Sequence, residues 1–337
     1  MRHFNRFLLI LFMFTCLNLG VFAQRRFEAK QISNDQSVSK GKLTSYLLPF
    51  NDTCSRQVAI WVPDNFDPNK NYATFYMHDG QMLFDAKVTW NKKEWRVDET
   101  CDSLMSNNIT RPFIVVGIYN DPTNRYAEFF PQGAVAYKDT AYTNQLLNTL
   151  WNGALRADYY IHWITHDLIP FVEDQYPVSH KREDRFLIGS SMGGLISLYG
   201  LTEKPKTFGG AACLSIHTPL INFQLMGDDA MNAMVLPYNQ YLKNELPSPR
   251  KVKLYIDRGT ETLDAYYGPY HEVLLKTLGN KGYELGPNYL TLICQKTAHD
   301  EVSWANRLAI PMKFLLINDP TIKRPSKHFF KFVKGPF

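Results

Sequence analysis

Phe186-Leu-Ile-Gly-Ser-Ser-Met-Gly-Gly-Leu195 carries the sharpest local pattern in this 337-residue chain. Phe186, Leu187 and Ile188 form a short apolar run that reads as a buried strand. Gly189-Ser190-Ser191-Met192-Gly193 fits G-x-S-x-G, and residues 195–199 read as the start of a helix. Strand, glycine-flanked turn and helix form the context of a nucleophile elbow. A Cβ at either glycine is expected to clash with the neighbouring strand or helix. The turn therefore lifts the Ser191 hydroxyl clear of the sheet. The Met192 backbone N–H then faces the place where an oxyanion would form. A plain Gly/Ser turn is the competing reading; the preceding strand and the doubled glycine favour the elbow.

Outward from that segment, strands and helices alternate. Residues 43–48 and 56–62 read as paired strands, and residues 72–77 as a short apolar strand stopping at His78-Asp79-Gly80-Gln81. Residues 113–118 form a β-branched run suited to a buried parallel position. Residues 120–142 read as a loop. In 159–176, Tyr160, Ile164, Leu168 and Phe171 share one helical face, with Pro170 expected to kink the helix or end its first part. Strands follow at 208–216, 252–256 and 290–294, and helices at 222–245, 269–279 and 302–316. This order implies an α/β fold, a mostly parallel sheet covered on both faces, in a single domain without a linker.

The length allows one large core or two modest ones. The formal charge is +5, and Arg2 and Arg6 supply two of those charges. The remainder is too weak to argue for nucleic acid. Residues 1–23 read as a secretory signal, with Arg2 and Arg6 as the charged region, 7–14 as the apolar region and a cut before Gln24. The apolar run is shorter than the ~20 residues needed to span a bilayer. Cleavage is thus preferred to an anchor, and Phe14-Thr15-Cys16 is a poor lipidation signal. The expectation is an exported protein, periplasmic or extracellular, with no stable membrane insertion after cleavage. Residues 24–41 read as a flexible lead-in, 42–320 as the catalytic domain and 321–337 as a basic aromatic tail. Cys54, Cys101, Cys213 and Cys294 include no C-x-x-C, which argues against zinc. Export permits a Cys54–Cys101 disulfide, while Cys213 and Cys294 read as buried hydrophobes.

Ligands of open α/β sheets bind at the carboxyl ends of the strands. Four polar clusters fall there: His78 to Gln81, Ser191-Met192, Glu261 to Asp264, and His299. A serine hydroxyl needs a base, and the base needs an orienting acid. The order serine, acid, histidine is the one such sheets use. His299 reads as the base. Asp264 reads as the acid with Glu261 as the alternative, and Asp257 as structural. The Gln81 backbone N–H reads as a second oxyanion donor beside Met192. Asn120, Arg125 and Trp304 are candidate substrate contacts with His78, and His217 is a pocket-lining candidate. No H-E-x-x-H and no compact His/Cys set is present, so no metal is expected.

Tyr76-Met-His-Asp-Gly-Gln-Met-Leu-Phe-Asp85, Asn120 with Arg125 and Glu128, Gly189 to Leu195, and His299 with Glu301 and Trp304 together resemble the putative esterase family. That family is similar to enterochelin esterases, to feruloyl and acetylxylan esterases of carbohydrate esterase family 1, and to S-formylglutathione hydrolase. The resemblance spans roughly residues 45–318. It implies an α/β-hydrolase fold and a cofactor-free serine hydrolase whose nucleophile and base are Ser191 and His299. The family acid often lies two to four residues after a strand-end glycine, here Gly259, which leaves Asp264 and Glu261 both open. The implied function is a secreted esterase removing acetyl or feruloyl groups from plant-type polysaccharide. The alternatives are a hydrolase of siderophore or other small esters, an acyltransferase, and a non-catalytic carbohydrate-binding protein on the same fold.

Overall fold

The computed structural model describes residues 29–138, 153–221 and 231–317. The expected leader (1–23) and basic tail (321–337) lie outside the described residues. The strands are β1 (Lys30–Ile32), β2 (Lys42–Pro49), β3 (Ser55–Val62), β4 (Ala73–His78), β5 (Phe113–Ile118), β6 (Arg185–Ser190), β7 (Gly210–Leu214), β8 (Lys253–Arg258) and β9 (Tyr289–Ile293). They form one sheet in the order β1-β2-β3-β5-β4-β6-β7-β8-β9. β1, β2, β3 and β5 pair antiparallel, and every pairing from β5 through β9 is parallel. This is the mostly parallel, helix-covered sheet of an α/β-hydrolase.

Side chains that alternate along a strand point to opposite faces. Leu187, Ala211 and Leu254 therefore join one core layer, while Phe186, Ile188, Ala212 and Tyr255 join the other. Both layers need cover, which explains why the central strands are apolar throughout rather than alternating. The helices are α1 (Val97–Ser106), α2 (Arg125–Phe129), α3 (Ala157–Trp163), α4 (Ile169–Gln175), α5 (Met192–Glu203), α6 (Leu236–Glu245), α7 (Gly268–Asn280), α8 (Glu301–Ala305) and α9 (Ala309–Leu316). Tyr160 of α3, Leu195 of α5, Leu242 of α6 and Leu274 of α7 close the first layer. Val97 and Leu104 of α1 with Met312 and Leu315 of α9 close the second.

Three local expectations change. The lead-in is not free at its described end. Lys30–Ile32 adds a strand to β2, Gln36 donates to the Gly80 carbonyl at 3.1 Å, and Ser39 N–H donates to Asp98 at 2.7 Å. These polar side chains satisfy distant backbone groups, a role that local composition does not reveal. The expected loop 120–142 contains α2 and a 3-10 turn, Gln132–Tyr137. As expected, the helix is divided near Pro170: α3 gives way to a π-turn at Ile164–Leu168, and Pro170 stands in the first turn of α4, where a missing N–H is tolerated. Cys54 is exposed and Cys101 is buried in α1, and both are free thiols, so the disulfide that export would permit is not formed. The expected helix at 222–245 begins in the described residues at a π-turn, Met231–Val235; 222–230 lie outside them.

Candidate active site

The elbow forms where β6 ends and α5 begins. Ser191 sits between them at φ 54° and ψ −123°, a left-handed backbone that costs a non-glycine residue roughly 1–3 kcal/mol. Two hydrogen bonds hold it there: Ser191 N–H donates to Leu214 O at 3.0 Å, and His217 N–H donates to Ser191 O at 3.1 Å. Gly189 is obligatory, since a Cβ would lie 2.4 Å from the Gly193 carbonyl carbon. At Gly193 the expected clash is milder, a 3.3 Å contact with an Asp79 oxygen. Met192 opens α5, so its N–H has no acceptor within the helix.

His299 lies between β9 and α8. Its backbone N–H donates to Thr262 Oγ1 at 2.8 Å, and its Nδ1 meets Asp264 Oδ1 at 2.7 Å. Its ring is flanked edge-on by Tyr267 and Trp304, at centroid distances of 5.6 and 5.1 Å. Tyr267 also bonds His217 Nδ1 through its hydroxyl at 2.6 Å. Asp264 is fully buried and stands on the turn after β8. Its Oδ2 accepts from Gly259 N–H at 2.6 Å and from the Ser215 hydroxyl at 2.5 Å. Burial alone would raise the Asp264 pKa; the bond and charge of His299, then Ser215 and Gly259, hold it below the ordinary carboxylate value. Gly259 must be glycine for this approach, because a Cβ would sit 2.3 Å from Thr297 O and 2.7 Å from Asp264 Oδ2. Glu261 is exposed, and its backbone N–H donates to Thr297 O at 3.0 Å. The structure thus pairs His299 with Asp264 and leaves Glu261 outside.

Beneath the pair lies a saturated polar network. Ser215 Oγ donates to Asp264 and accepts from Trp304 Nε1 at 3.0 Å and Arg307 Nη2 at 2.8 Å. That uses the one donor and both lone pairs of a hydroxyl. Arg307 in turn clamps the buried Asp257 at 2.8 and 3.0 Å. Asp257 is therefore structural, as its position at the strand end suggested.

A cavity of about 390 Å³ opens over Ser191. Gln81, Asn120, Arg125, His299 and Trp304 line it, so those sequence candidates converge. Asp79 joins them and was not singled out in the sequence. Arg125 grips it through two 2.7 Å bonds, and Asn120 adds a third at 2.5 Å. Burial would raise the Asp79 pKa, yet Arg125 and Asn120 keep it low, so it is an anion tied to its cation. No local pattern links residues 79 and 125; only the parallel pairing of β4 with β5 does. Gln81 Oε1 accepts from Asn120 N–H at 3.2 Å, tying the two strand-end loops together.

His78 departs from its expected role. It points into the core, with Nδ1 on the Tyr160 hydroxyl at 2.8 Å, and it does not line the cavity. Its alternation along β4 puts it under the sheet end while Asp79 turns outward. Burial pushes its pKa down to about 4, so it is neutral. His217 also does not line the cavity; it is held by its backbone bond to Ser191 and by the Tyr267 hydroxyl. Burial, then the His299 charge, lowers its pKa to about 3. Among the described residues, no three His, Cys, Asp or Glu side chains converge as a metal site.

A family model described as "Putative esterase" matches residues 52–265, more than half of the chain. The chain belongs to that family. Uncharacterized protein YbbA of Bacillus subtilis is 25% identical over 162 residues, which is 48% of this chain and 56% of that protein. The chain spans about half the length of the curated relatives it matches. Among solved structures, a ferulic acid esterase superposes with a TM-score of 0.58 at 15% identity, covering 82% of this chain and 98% of that one. The enterobactin esterase FES from Shigella flexneri superposes with a TM-score of 0.56 at 17% identity, covering 83% of this chain and 60% of that one. At such identities these likenesses speak for the fold.

Proposed function

We propose that this member of the family is a serine hydrolase of carboxylic esters that works through an acyl-enzyme. The observation that carries the proposal is the buried Asp264 carboxylate on His299 Nδ1, at the wall of a cavity that also holds Ser191 on its left-handed turn. An anion on Nδ1 fixes the imidazole tautomer that leaves Nε2 free to accept a proton.

In this mechanism Ser191 Oγ attacks the ester carbonyl carbon while its proton passes to His299 Nε2. The Met192 and Gln81 backbone N–H groups hold the developing oxyanion; losing one such donor typically costs ~3 kcal/mol of transition-state stabilisation. The C–O bond to the alcohol then breaks, and His299 returns the proton to the departing oxygen. Water, deprotonated by the same nitrogen, releases the acid and restores Ser191. Asp79, held by Arg125 and Asn120, stiffens the loop that presents Gln81.

The substrate we propose is an acylated carbohydrate, acetyl or feruloyl, met outside the cytoplasm after cleavage of residues 1–23. The deciding experiment measures hydrolysis of p-nitrophenyl acetate, methyl ferulate, acetylated xylan and a catecholate siderophore ester by the mature protein. Turnover that vanishes in Ser191→Ala is expected. Full turnover by Ser191→Ala would overturn the mechanism. Preference for the siderophore ester would overturn the carbohydrate assignment. Amino-terminal sequencing of the exported protein should begin at Gln24.

A further inference from the structure

Trp90 is the most exposed large apolar side chain among the described residues, at 83% of its surface, and it lines the cavity over Ser191. Such a side chain leaves a large apolar face in water without the gain of burial. Trp95 and Trp304 line the same cavity, and aromatic side chains gathered in a concave site are surfaces that a ligand ring covers.

The loop that carries Trp90 follows β4 and is held firmly, with two of its bonds made to the segment after His299. Asn91 Nδ2 donates to Glu301 Oε2 at 2.8 Å, and Lys93 Nζ bonds Asp300 Oδ2 at 2.8 Å. Trp95 is buried against Trp304, with ring centroids 5.4 Å apart, and its backbone N–H donates to Met82 O at 3.0 Å. Asp300 and Glu301 are the two residues that follow His299. Trp90 therefore belongs to the His299 wall of the cavity. Asp79, Asn120, Pro122 and Arg125 also line the cavity.

This placement selects which part of an ester reaches Trp90. The leaving oxygen must come within reach of His299, because that imidazole protonates it. The alcohol half of the substrate thus extends along the His299 wall. A flat indole face that shares its cavity with the Glu301 carboxylate suits a ring with an apolar C–H face and a rim of hydroxyls. We infer that Trp90 is a stacking platform for a pyranose ring of the alcohol half, with Glu301 as an acceptor for one of its hydroxyls. The inference rests on the ester-hydrolase reading for the direction in which the substrate lies. A preset platform suits this task, since the bonds from Asn91 and Lys93 to Glu301 and Asp300 hold the loop under the indole before the sugar arrives.

The test separates sugar binding from catalysis. Ser191→Ala protein is titrated calorimetrically with the hexasaccharides of xylose, glucose and mannose in β-1,4 linkage. At least one should bind, and adding Trp90→Ala should weaken it by about tenfold, with Trp90→Phe keeping most of the affinity. With Ser191 intact, Trp90→Ala should lower kcat/KM for the acetylated form of that oligosaccharide about tenfold more than for p-nitrophenyl acetate, through KM. Binding of none of the three, or binding indifferent to Trp90→Ala, overturns the platform. So does a selective loss on methyl ferulate, which would place the acyl half there instead. Absence of p-nitrophenyl acetate hydrolysis by the Ser191 protein strikes the esterase reading alone, and the calorimetry still judges the platform.

Discussion

His299 Nδ1 lies 2.7 Å from Asp264 Oδ1, although 35 residues separate them and each stands on the loop after a different strand. β8 and β9 run parallel and adjacent, which brings their carboxyl ends, and so these two loops, side by side. Backbone bonds from Thr260 and Glu261 N–H to Thr297 O, at 3.2 and 3.0 Å, lace the loops together. The side-chain pair is thus set by the sheet and locked by backbone.

Asp264→Asn should remove most of the esterase activity. An amide in that position can turn its N–H₂ toward Nδ1, which favours the tautomer with the proton on Nε2, where the serine proton has to go. The expected fall in kcat is on the order of 10⁴. Glu261→Gln should change kcat by less than about twofold, because an exposed side chain away from the reacting groups contributes little. Steady-state kinetics on p-nitrophenyl acetate compares the two. Equal losses in both variants would remove Asp264 from its assigned role.

Arg307→Met should destabilise the protein more than any exposed substitution. It leaves the Asp257 carboxylate buried without its guanidinium and removes a donor from Ser215. Breaking one half of a buried pair typically costs ~3–5 kcal/mol, which corresponds to a fall in Tm of roughly 10 °C in a domain of this size. Differential scanning calorimetry reads it. A Tm that does not move would mean that Asp257 finds another partner.

Glu94→Gln should flatten part of the pH dependence of stability. Burial, then the charges of Glu99, Asp98 and Asp85, push the Glu94 pKa from 4.5 up to about 7 in the fold. Between those values the folded state holds more protons on this group than the unfolded state, so stability falls as pH rises through that window. The neutral amide has no such loss. The Tm advantage of Glu94→Gln over the parent should be small at pH 5 and clearly larger at pH 8. An advantage that is the same at both values would show that Glu94 titrates normally.

Several features were legible before any coordinates. The β-branched run at Phe113 to Ile118, the apolar strands around it and the helical face of Tyr160, Ile164 and Leu168 follow from local hydrophobic period, and all three recur in the fold. The elbow was legible because its geometry is written in a few adjacent residues, with Gly189 the one that cannot carry a Cβ. The lead-in at Gln36 and Ser39 was misread because a polar stretch looks alike whether its side chains face water or cap a distant turn. His78 was misread for a related reason. Its polarity suggested the cavity, and the strand's alternation sent it to the core, where Tyr160 gives it a hydroxyl partner.

The amino-acid order by itself determined the strand–helix alternation, the turn at Ser191, and a serine, acid and histidine arriving in workable sequence, since each depends on neighbours within a few residues. Only the tertiary structure decided that Asp264 and not Glu261 meets His299, that Arg125 holds Asp79, and that the Trp90 loop is clamped beside the base. Those outcomes depend on which strands lie next to each other in the sheet. Adjacency there is settled by burying both faces of the sheet at once, a property of the whole chain that no short segment contains.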